Sequence, residues 1–151
     1  MTKLSLQCRE CKKEYESVFK YICEDCFGPL DVKYEFPRIS KNMFSGREQT
    51  YWRYFELLPI QNKSNIVSIN AGMTPLVRAE KLGEKLGLKN LYIKNDSVNP
   101  TFSFKDRPAG IAVSKAKEFG LSAVGCASTG NLSSASAAHA AKGGCPCYVF
   151  A

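Results

Sequence analysis

The sequence lacks any long apolar run, and this absence limits the classes of protein to which it can belong. No stretch of about eighteen consecutive apolar residues occurs, so no transmembrane helix is expected. The N-terminus opens with Met1, Thr2 and Lys3 and continues without the apolar core of a secretory signal. Low-complexity tracts and internal repeats are also missing. We therefore expect a cytoplasmic protein.

Runs of like charge are absent too, although the chain is basic. The formal net charge is +7 at pH 7, and lysines and arginines are spread along the whole sequence. This distribution does not indicate a nucleic-acid-binding patch. Attraction for a phosphorylated substrate or cofactor accounts for the same charge, and so does an ordinary solvated surface.

The chain has a single tryptophan and a single histidine, and neither is predicted to carry chemistry. Trp52 lies in an aromatic-rich helix predicted over residues 51–59. Its neighbours could form a stacking platform for nucleic acid, but apolar packing onto a larger body is the commoner role of such a segment. His139 lies within a helix of small residues, where we expect a packed or exposed histidine.

Four of the seven cysteines form two C-x-x-C pairs, separated by eleven residues: Cys8, Cys11, Cys23 and Cys26. Two such pairs can place four thiolates around one tetrahedral Zn²⁺. All four ligands would then come from the protein, so the zinc would be structural. The alternative is a zinc-ribbon-like segment that has lost its metal. Disulfides are not expected in a reducing cytosol.

The other three cysteines, Cys126, Cys145 and Cys147, lie among apolar or small residues. We expect them to be small buried hydrophobic side chains and not ligands.

Strands and helices alternate along most of the chain. We predict two short strands within residues 15–22, further strands at 31–36, 91–94, 123–127 and 147–150, and helices at 80–86 and 132–142. Another helix ends before Gly120. Repeats of strand and helix in units of about thirty residues predict right-handed βαβ crossovers and a parallel sheet. The predicted class is therefore α/β.

The start of the helix before Gly120 has two interpretations. Ser103 and Asp106 have the spacing of a capping box, which would place Pro108 at the fifth helical position and distort the first turn. Alternatively, the regular helix begins near Arg107.

A lysine lies in the loop before that helix. Residues 99–108 read N-P-T-F-S-F-K-D-R-P, and Lys105 follows a hydroxyl residue and precedes an Asp-Arg pair. A loop between a strand and a helix can hold an amine at a pocket mouth, where it can act as a nucleophile toward a carbonyl. A solvated surface lysine is the plainer alternative.

A second loop, S-T-G-N at residues 128–131, follows the next predicted strand. Free backbone N–H groups and the helix dipole favour an anion at such a position, although the same residues also form ordinary helix caps. We expect the two loops to end consecutive strands at the same edge of a parallel sheet, where ligands of such sheets bind.

These segments resemble those of a known family. The S-F-K-D-R segment at 103–107, the S-T-G-N segment and the G-M-T-P-L segment at 72–76 are similar to the motifs of fold type II, tryptophan-synthase-β-like, pyridoxal-phosphate enzymes. The match is closest to threonine synthases, some of which also have the paired cysteines.

The resemblance implies a role for each loop. In the family the lysine matching Lys105 forms the Schiff base with pyridoxal 5′-phosphate and acts as the catalytic amine. The asparagine matching Asn131 contacts the phenolic oxygen of the cofactor, and Phe104 falls near the cofactor. The residues that would bind the substrate carboxylate are Ser128, Thr129 and Gly130.

Threonine synthases are lyases of amino-acid biosynthesis that convert O-phospho-L-homoserine and water to L-threonine and phosphate by β,γ-elimination and replacement. The resemblance implies this activity, with an amino-acid substrate and a possible homodimer in the full-length form. Cysteate synthases and threonine or serine dehydratases share the motifs and are the alternatives. A zinc-ribbon module that binds nucleic acid or protein is a hypothesis from another class.

The predicted domains are a zinc-ribbon-like segment at 1–33 and the N-terminal part of a pyridoxal-phosphate-dependent α/β domain at 34–151. The family's phosphate-gripping loop and its partner for the pyridine nitrogen have no counterpart in these residues. We therefore expect a fragment with little or no activity alone.

Overall fold

Residues 2–151 are described by a computed structural model, in which short strands pair in three separate sheets. The strands are β1 (Lys3–Cys8), β2 (Glu14–Glu16), β3 (Leu30–Glu35), β4 (Leu76–Arg78), β5 (Tyr92–Lys94), β6 (Val124–Ala127) and β7 (Cys147–Phe150). The α-helices are α1 (Glu80–Leu86), α2 (Asp106–Glu118) and α3 (Asn131–Gly143). Four 3₁₀ segments join them, at Lys41–Phe44, Tyr51–Leu57, Lys63–Asn65 and Asp96–Val98.

The N-terminal sheet is antiparallel, in the order β2-β1-β3. Its central strand β1 alternates, with Leu4, Leu6 and Cys8 buried and the residues between them more exposed. Sequence reasoning missed β1. It also predicted two strands in residues 15–22, where the structure has only β2 and one isolated bridge between Ile22 and Pro29.

The prediction that the strand at 91–94 belongs to a parallel sheet was wrong. β5 pairs antiparallel with β4, with Val77 opposite Ile93. The seven residues of α1 extend only about 10 Å, and the Ala79 N–H donates to the Leu91 carbonyl, continuing the antiparallel pairing beyond the strands. The chain therefore turns back as a hairpin and makes no crossover here.

The predicted parallel βαβ unit is present in the last third of the chain. β6 and β7 pair in parallel, with Val124 opposite Cys147, and α3 connects them. Small residues of α3, among them Ala135 and Ala140, are buried, so α3 packs closely on α2. The fold is therefore a mixed α/β arrangement of small parallel and antiparallel sheets.

Helix α2 begins at Asp106, which agrees with the interpretation that starts the regular helix near Arg107. Pro108 is then the third helical residue, where its missing N–H would have had no intrahelical partner. Within residues 2–151 the capping box with Ser103 is not formed, because the Asp106 carboxylate accepts from Thr101 and Ser103 Oγ accepts from the Lys105 N–H. Beyond the end of α2, Gly120 has φ of +69°, the left-handed backbone that favours glycine.

Two apolar clusters lie under these elements. The first contains Tyr51, Trp52, Ile60 and Ala71, and Trp52 is 7% exposed. This confirms packing for Trp52, although its segment is a 3₁₀ helix with a kink at Tyr54 and not the predicted regular helix.

The second cluster contains Val67, Val113 and Ala140, with Cys145 and Cys147 packed partly buried against it. The late cysteines are thus less buried than predicted. Within residues 2–151, none of the helices has the length and apolar content needed to cross a membrane.

Candidate active site

Lys105 is the residue immediately before α2, at its N-cap. Its backbone N–H donates to Ser103 Oγ at 3.2 Å, and a tight turn precedes it, because the Phe102 N–H donates to the Asn99 carbonyl at 2.8 Å. Phe102 has φ of +60°, a left-handed conformation unusual for an aromatic residue. The loop therefore has a specific, tightly turned backbone.

The Lys105 amine is held by its aromatic neighbour. Nζ lies 4.4 Å from the centre of the Phe104 ring, a cation–π contact, and the side chain is half-buried. No carboxylate in residues 2–151 forms an ion pair with it. An amine without a carboxylate partner stays available for reaction with a carbonyl group.

Asp106 fixes the loop that carries this amine. Its carboxylate is fully buried and accepts from the Thr101 N–H at 2.8 Å and from Thr101 Oγ1 at 2.9 Å. These two bonds close residues 101–106 into a ring, and Lys105 lies within that ring. Sequence reasoning assigned Asp106 no such role.

Arg107 ties the same loop to the strand hairpin. Its guanidinium donates to both carboxylate oxygens of Asp96, at 2.6 and 2.8 Å, and to the Gly72 carbonyl at 2.9 Å. Thr74 Oγ1 donates to Asp96 at 2.6 Å. Hydrogen bonds from Arg107 and then Thr74 lower the pKa of Asp96 to about 2.

The G-M-T-P-L segment therefore touches the lysine loop directly. Besides the Arg107 bond, the Gly72 N–H donates to Asn99 Oδ1 at 3.0 Å, and Asn99 Nδ2 donates to the Asp96 carbonyl at 3.1 Å. Two of the segments singled out in the sequence thus form one polar network. Asp96 was not identified from the sequence, because nothing in its local pattern indicates a partner eleven residues away.

The S-T-G-N loop lies where β6 leaves its partner strand. The Ser128 N–H donates to the Phe150 carbonyl, and the Gly130 N–H donates to Ser128 Oγ at 3.3 Å. Asn131 is the first residue of α3, and its side chain is exposed. Since α3 has no side-chain cap, its first N–H groups remain able to bind an anion.

The expectation that both loops follow consecutive strands of one parallel sheet was wrong, since β5 and β6 belong to different sheets. The loops are related instead through packing of α2 on α3. Nε2 of His139 on α3 lies 3.5 Å from Oδ1 of Asp106. Asn131 is eight residues, about 12 Å of helix, before His139. No hydrogen bond in residues 2–151 joins the two loops directly.

The four paired cysteines meet at one point of the N-terminal sheet. Their Sγ atoms all lie within 4.8 Å of one another, with Cys8 and Cys26 at 3.4 Å and Cys11 and Cys23 at 3.5 Å. Four sulfurs 2.3 Å from a tetrahedral Zn²⁺ would be about 3.8 Å apart. The spacing therefore fits a metal of that size.

The two cysteine turns have the same backbone conformation. The residue after each pair, Lys12 and Phe27, has a left-handed φ, of +65° and +57°. The same two hydrogen bonds occur in each turn. In the first turn the Cys8 N–H donates to the Lys13 carbonyl and the Lys12 N–H donates to the Cys8 carbonyl. In the second turn the Cys23 N–H donates to the Gly28 carbonyl and the Phe27 N–H donates to the Cys23 carbonyl. This repetition presents two equivalent thiol pairs to one centre.

Tyr15 contacts this centre. The sequence places Tyr15 in the strands predicted within residues 15–22 and gives it no further role. Its hydroxyl lies 3.1 Å from Cys23 Sγ and accepts from the Glu24 N–H at 3.1 Å. The hydrogen bond from Tyr15 is the main cause that lowers the pKa of the Cys23 thiol to about 6. A thiol that ionises more easily is a better metal ligand.

The donor set of the two loops suits a cofactor with an aldehyde and anionic oxygens. It offers an amine without a carboxylate partner, an exposed amide at Asn131 and a helix N-terminus without a side-chain cap. These are the groups that an enzyme holding a carbonyl cofactor on a lysine uses.

The chain belongs to the pyridoxal-phosphate dependent enzyme family, whose profile matches residues 67–151. Both loops lie inside that match.

Curated threonine synthases are among the relatives of the chain. The chain is 43% identical to the threonine synthase of Methanocaldococcus jannaschii over 149 residues, covering 95% of this chain and 36% of that protein. It is 43% identical to the threonine synthase of Methanosarcina acetivorans, covering 96% and 36%, and 41% identical to that of Synechocystis sp., covering 76% and 29%. The chain thus spans about a third of the length of these relatives.

Proposed function

We propose that this chain provides the lysine loop, residues 99–108, and the S-T-G-N loop, residues 128–131, of a threonine synthase. The proposal rests on the Lys105 amine, which forms no ion pair within residues 2–151. The loop that carries this amine is closed by the bonds between Thr101 and Asp106 and is tied to Asp96 by Arg107, and all of these residues lie inside the family match. All the named relatives are threonine synthases. The reaction is the conversion of O-phospho-L-homoserine and water to L-threonine and phosphate.

Pyridoxal 5′-phosphate, when bound, supplies a ring that stabilises negative charge at carbons next to the substrate nitrogen. Lys105 would hold the group through Nζ and, once displaced by substrate, would move protons as general base and acid. Lys105 is half-buried, and its Nζ lies over the Phe104 ring.

The S-T-G-N loop would bind the other end of the substrate. The first N–H groups of α3, with the Ser128 and Thr129 hydroxyls and the Gly130 N–H, can receive a carboxylate. The amide of Asn131 can donate to the phenolic oxygen of the cofactor, and Phe104 would lie beside its ring. Bound in this way, an amino acid would present its α-carbon to Lys105.

The reaction is tested in a chimera in which this chain replaces the matching segment of the Methanocaldococcus jannaschii threonine synthase. We expect phosphate release and threonine formation from O-phospho-L-homoserine, both lost in a Lys105→Ala chimera. Ketoacid formation from threonine or serine would indicate a dehydratase. Sulfite consumption with cysteate formation would indicate a cysteate synthase.

We further propose that the cysteine cluster binds one structural Zn²⁺ and that residues 1–33 form a zinc-ribbon-like unit ahead of the α/β part at 34–151. The support is the Sγ spacing and the repeated backbone turns. Metal analysis of the purified chain tests this, with one zinc per chain expected. Full folding without zinc after dialysis against a chelator would contradict it.

A further inference from the structure

The only histidine of the chain lies directly behind the lysine loop. His139 and Asp106 are both 0% exposed, and Nε2 lies 3.5 Å from Oδ1. Within residues 2–151 neither ring nitrogen makes a hydrogen bond of ordinary geometry, the 3.5 Å approach of Nε2 to Asp106 included. A buried polar ring normally has a partner, and the Asp106 carboxylate is the acceptor toward which Nε2 is placed.

The Asp106 carboxylate faces α3 on one side and the lysine loop on the other. It accepts both bonds from Thr101 while His139 approaches the same Oδ1 oxygen. Burying a carboxylate without enough donors is costly, so each of its neighbours constrains where it can stay. Through this one side chain, α3 contacts the ring of residues that contains Lys105.

A third element, the 3₁₀ segment at Tyr51–Leu57, lies beside His139 and Asp106. A Cβ placed on Gly110 would lie 2.2 Å from Tyr51 Oη and 3.0 Å from His139 Nδ1, so only glycine allows this approach. Burial, and next the charge of Asp106, raises the pKa of the Tyr51 hydroxyl. The His139 ring therefore has little freedom to rotate away from Asp106.

We propose that His139 is a positioning residue for Lys105. Its Nε2–H holds the Asp106 carboxylate, which holds Thr101, and this fixes the loop that presents the amine. The functional consequence rests on the proposed role of Lys105, whereas the structural link among these residues does not.

Replacing His139 by glutamine or by asparagine distinguishes the contributions of its two ring nitrogens. The Gln side chain of His139→Gln places an N–H where Nε2 is, and the shorter Asn side chain of His139→Asn places it where Nδ1 is. Hydrogen exchange of the Thr101 amide is the readout, with the Val113 amide inside α2 as the reference for overall folding. Tyr51→Phe removes a hydroxyl of the same cluster that does not bond Asp106, and it is the matched control.

We expect Thr101 protection within about threefold of wild type in His139→Gln and Tyr51→Phe, and a loss of at least tenfold in His139→Asn, with Val113 protection retained. Equal Thr101 protection in the Gln and Asn variants would overturn the proposal. The ¹⁵N spectrum of the single histidine in the unaltered chain adds a test that needs no variant: an Nε2 without a proton near neutral pH would also overturn it.

The same variants are placed in the chimera with the Methanocaldococcus jannaschii threonine synthase and treated with pyridoxal 5′-phosphate and borohydride, and the modified peptides are mapped. His139→Asn should lower the share of adduct on Lys105 at least threefold, and His139→Gln should restore it. An adduct on another lysine in the chimera that carries His139 would refute the role of Lys105. The Thr101 exchange would still report on His139, so the two failures are distinguishable.

Discussion

Replacing Arg107 by methionine should destabilise the chain by about 2–3 kcal/mol. Methionine keeps much of the side-chain volume but removes four hydrogen bonds of the guanidinium, two to Asp96, one to the Gly72 carbonyl and a longer one to Thr74 Oγ1. The two partners are each 28% exposed, so the loss exceeds that of a surface pair, which is under about 1 kcal/mol, and falls below that of a fully buried pair.

The pH dependence of the unfolding free energy is a second, independent way to obtain the contribution of the Arg107–Asp96 pair to stability. The pKa of Asp96 is lowered from 3.8 to about 2, mainly by its bonds with Arg107. A depressed carboxyl pKa stabilises the fold at pH above the unfolded value, and this contribution disappears as the pH falls through the folded value. Just under two pH units corresponds to about 2 kcal/mol, reduced somewhat because the pair is partly exposed.

Urea unfolding of both proteins at pH 6 and at intervals from pH 4.5 to 2 measures both quantities. The difference in unfolding free energy between wild type and Arg107→Met should shrink as the pH falls from about 4 to 2. The exposed pair between Arg78 and Glu80, 3.7 Å apart, provides the control, and Arg78→Met should cost under about 0.5 kcal/mol. Equal losses for the two variants, or a difference that does not change with pH, would refute the reasoning.

Three further predictions concern other parts of the chain. Phe102 is 79% exposed with a left-handed backbone, so Phe102→Gly should be about 1 kcal/mol more stable than Phe102→Ala in urea; equal midpoints would contradict the strain. Gly110→Ala brings a methyl group within 2.2 Å of a hydroxyl and should cost about 2 kcal/mol or more in thermal melts. Gly143→Ala, whose nearest atom is 3.2 Å away, should cost less, and the reverse order would refute the packing. Cys23→Ser should lose bound zinc in a colorimetric assay while Cys126→Ser keeps it; retention in both would argue against the four-cysteine site.

Elements with strong local signals were predictable from the sequence. The small-residue run of α3, closed by glycines and followed by the apolar residues of β7, was predicted almost to the residue. The partner of a short strand is decided elsewhere in the chain. β5 has only three residues, and its composition does not distinguish an antiparallel partner, β4, from the expected parallel one.

The candidate site also has parts that the local sequence indicates and parts that it does not. Lys105 and Asn131 were proposed as site residues because their loops have recognisable local sequences that resemble the family's motifs. The contacts that hold the lysine loop join residues far apart, Asp106 with His139 and Arg107 with Gly72, and such pairs leave no local pattern. A buried histidine could only be told from an exposed one once the packing of α2 on α3 was known.

The most direct test of the account is to map where pyridoxal 5′-phosphate attaches. The chimera with the Methanocaldococcus jannaschii threonine synthase, which supplies the rest of the domain, is incubated with the cofactor, reduced with borohydride and digested, and the pyridoxyl mass is measured on each lysine peptide, with Lys105→Arg as the control. We predict that Lys105 carries most of the label and that the Arg variant loses that adduct without gaining another. Label spread evenly over the lysines, or concentrated on a different one, would contradict the claim that Lys105 is the cofactor amine.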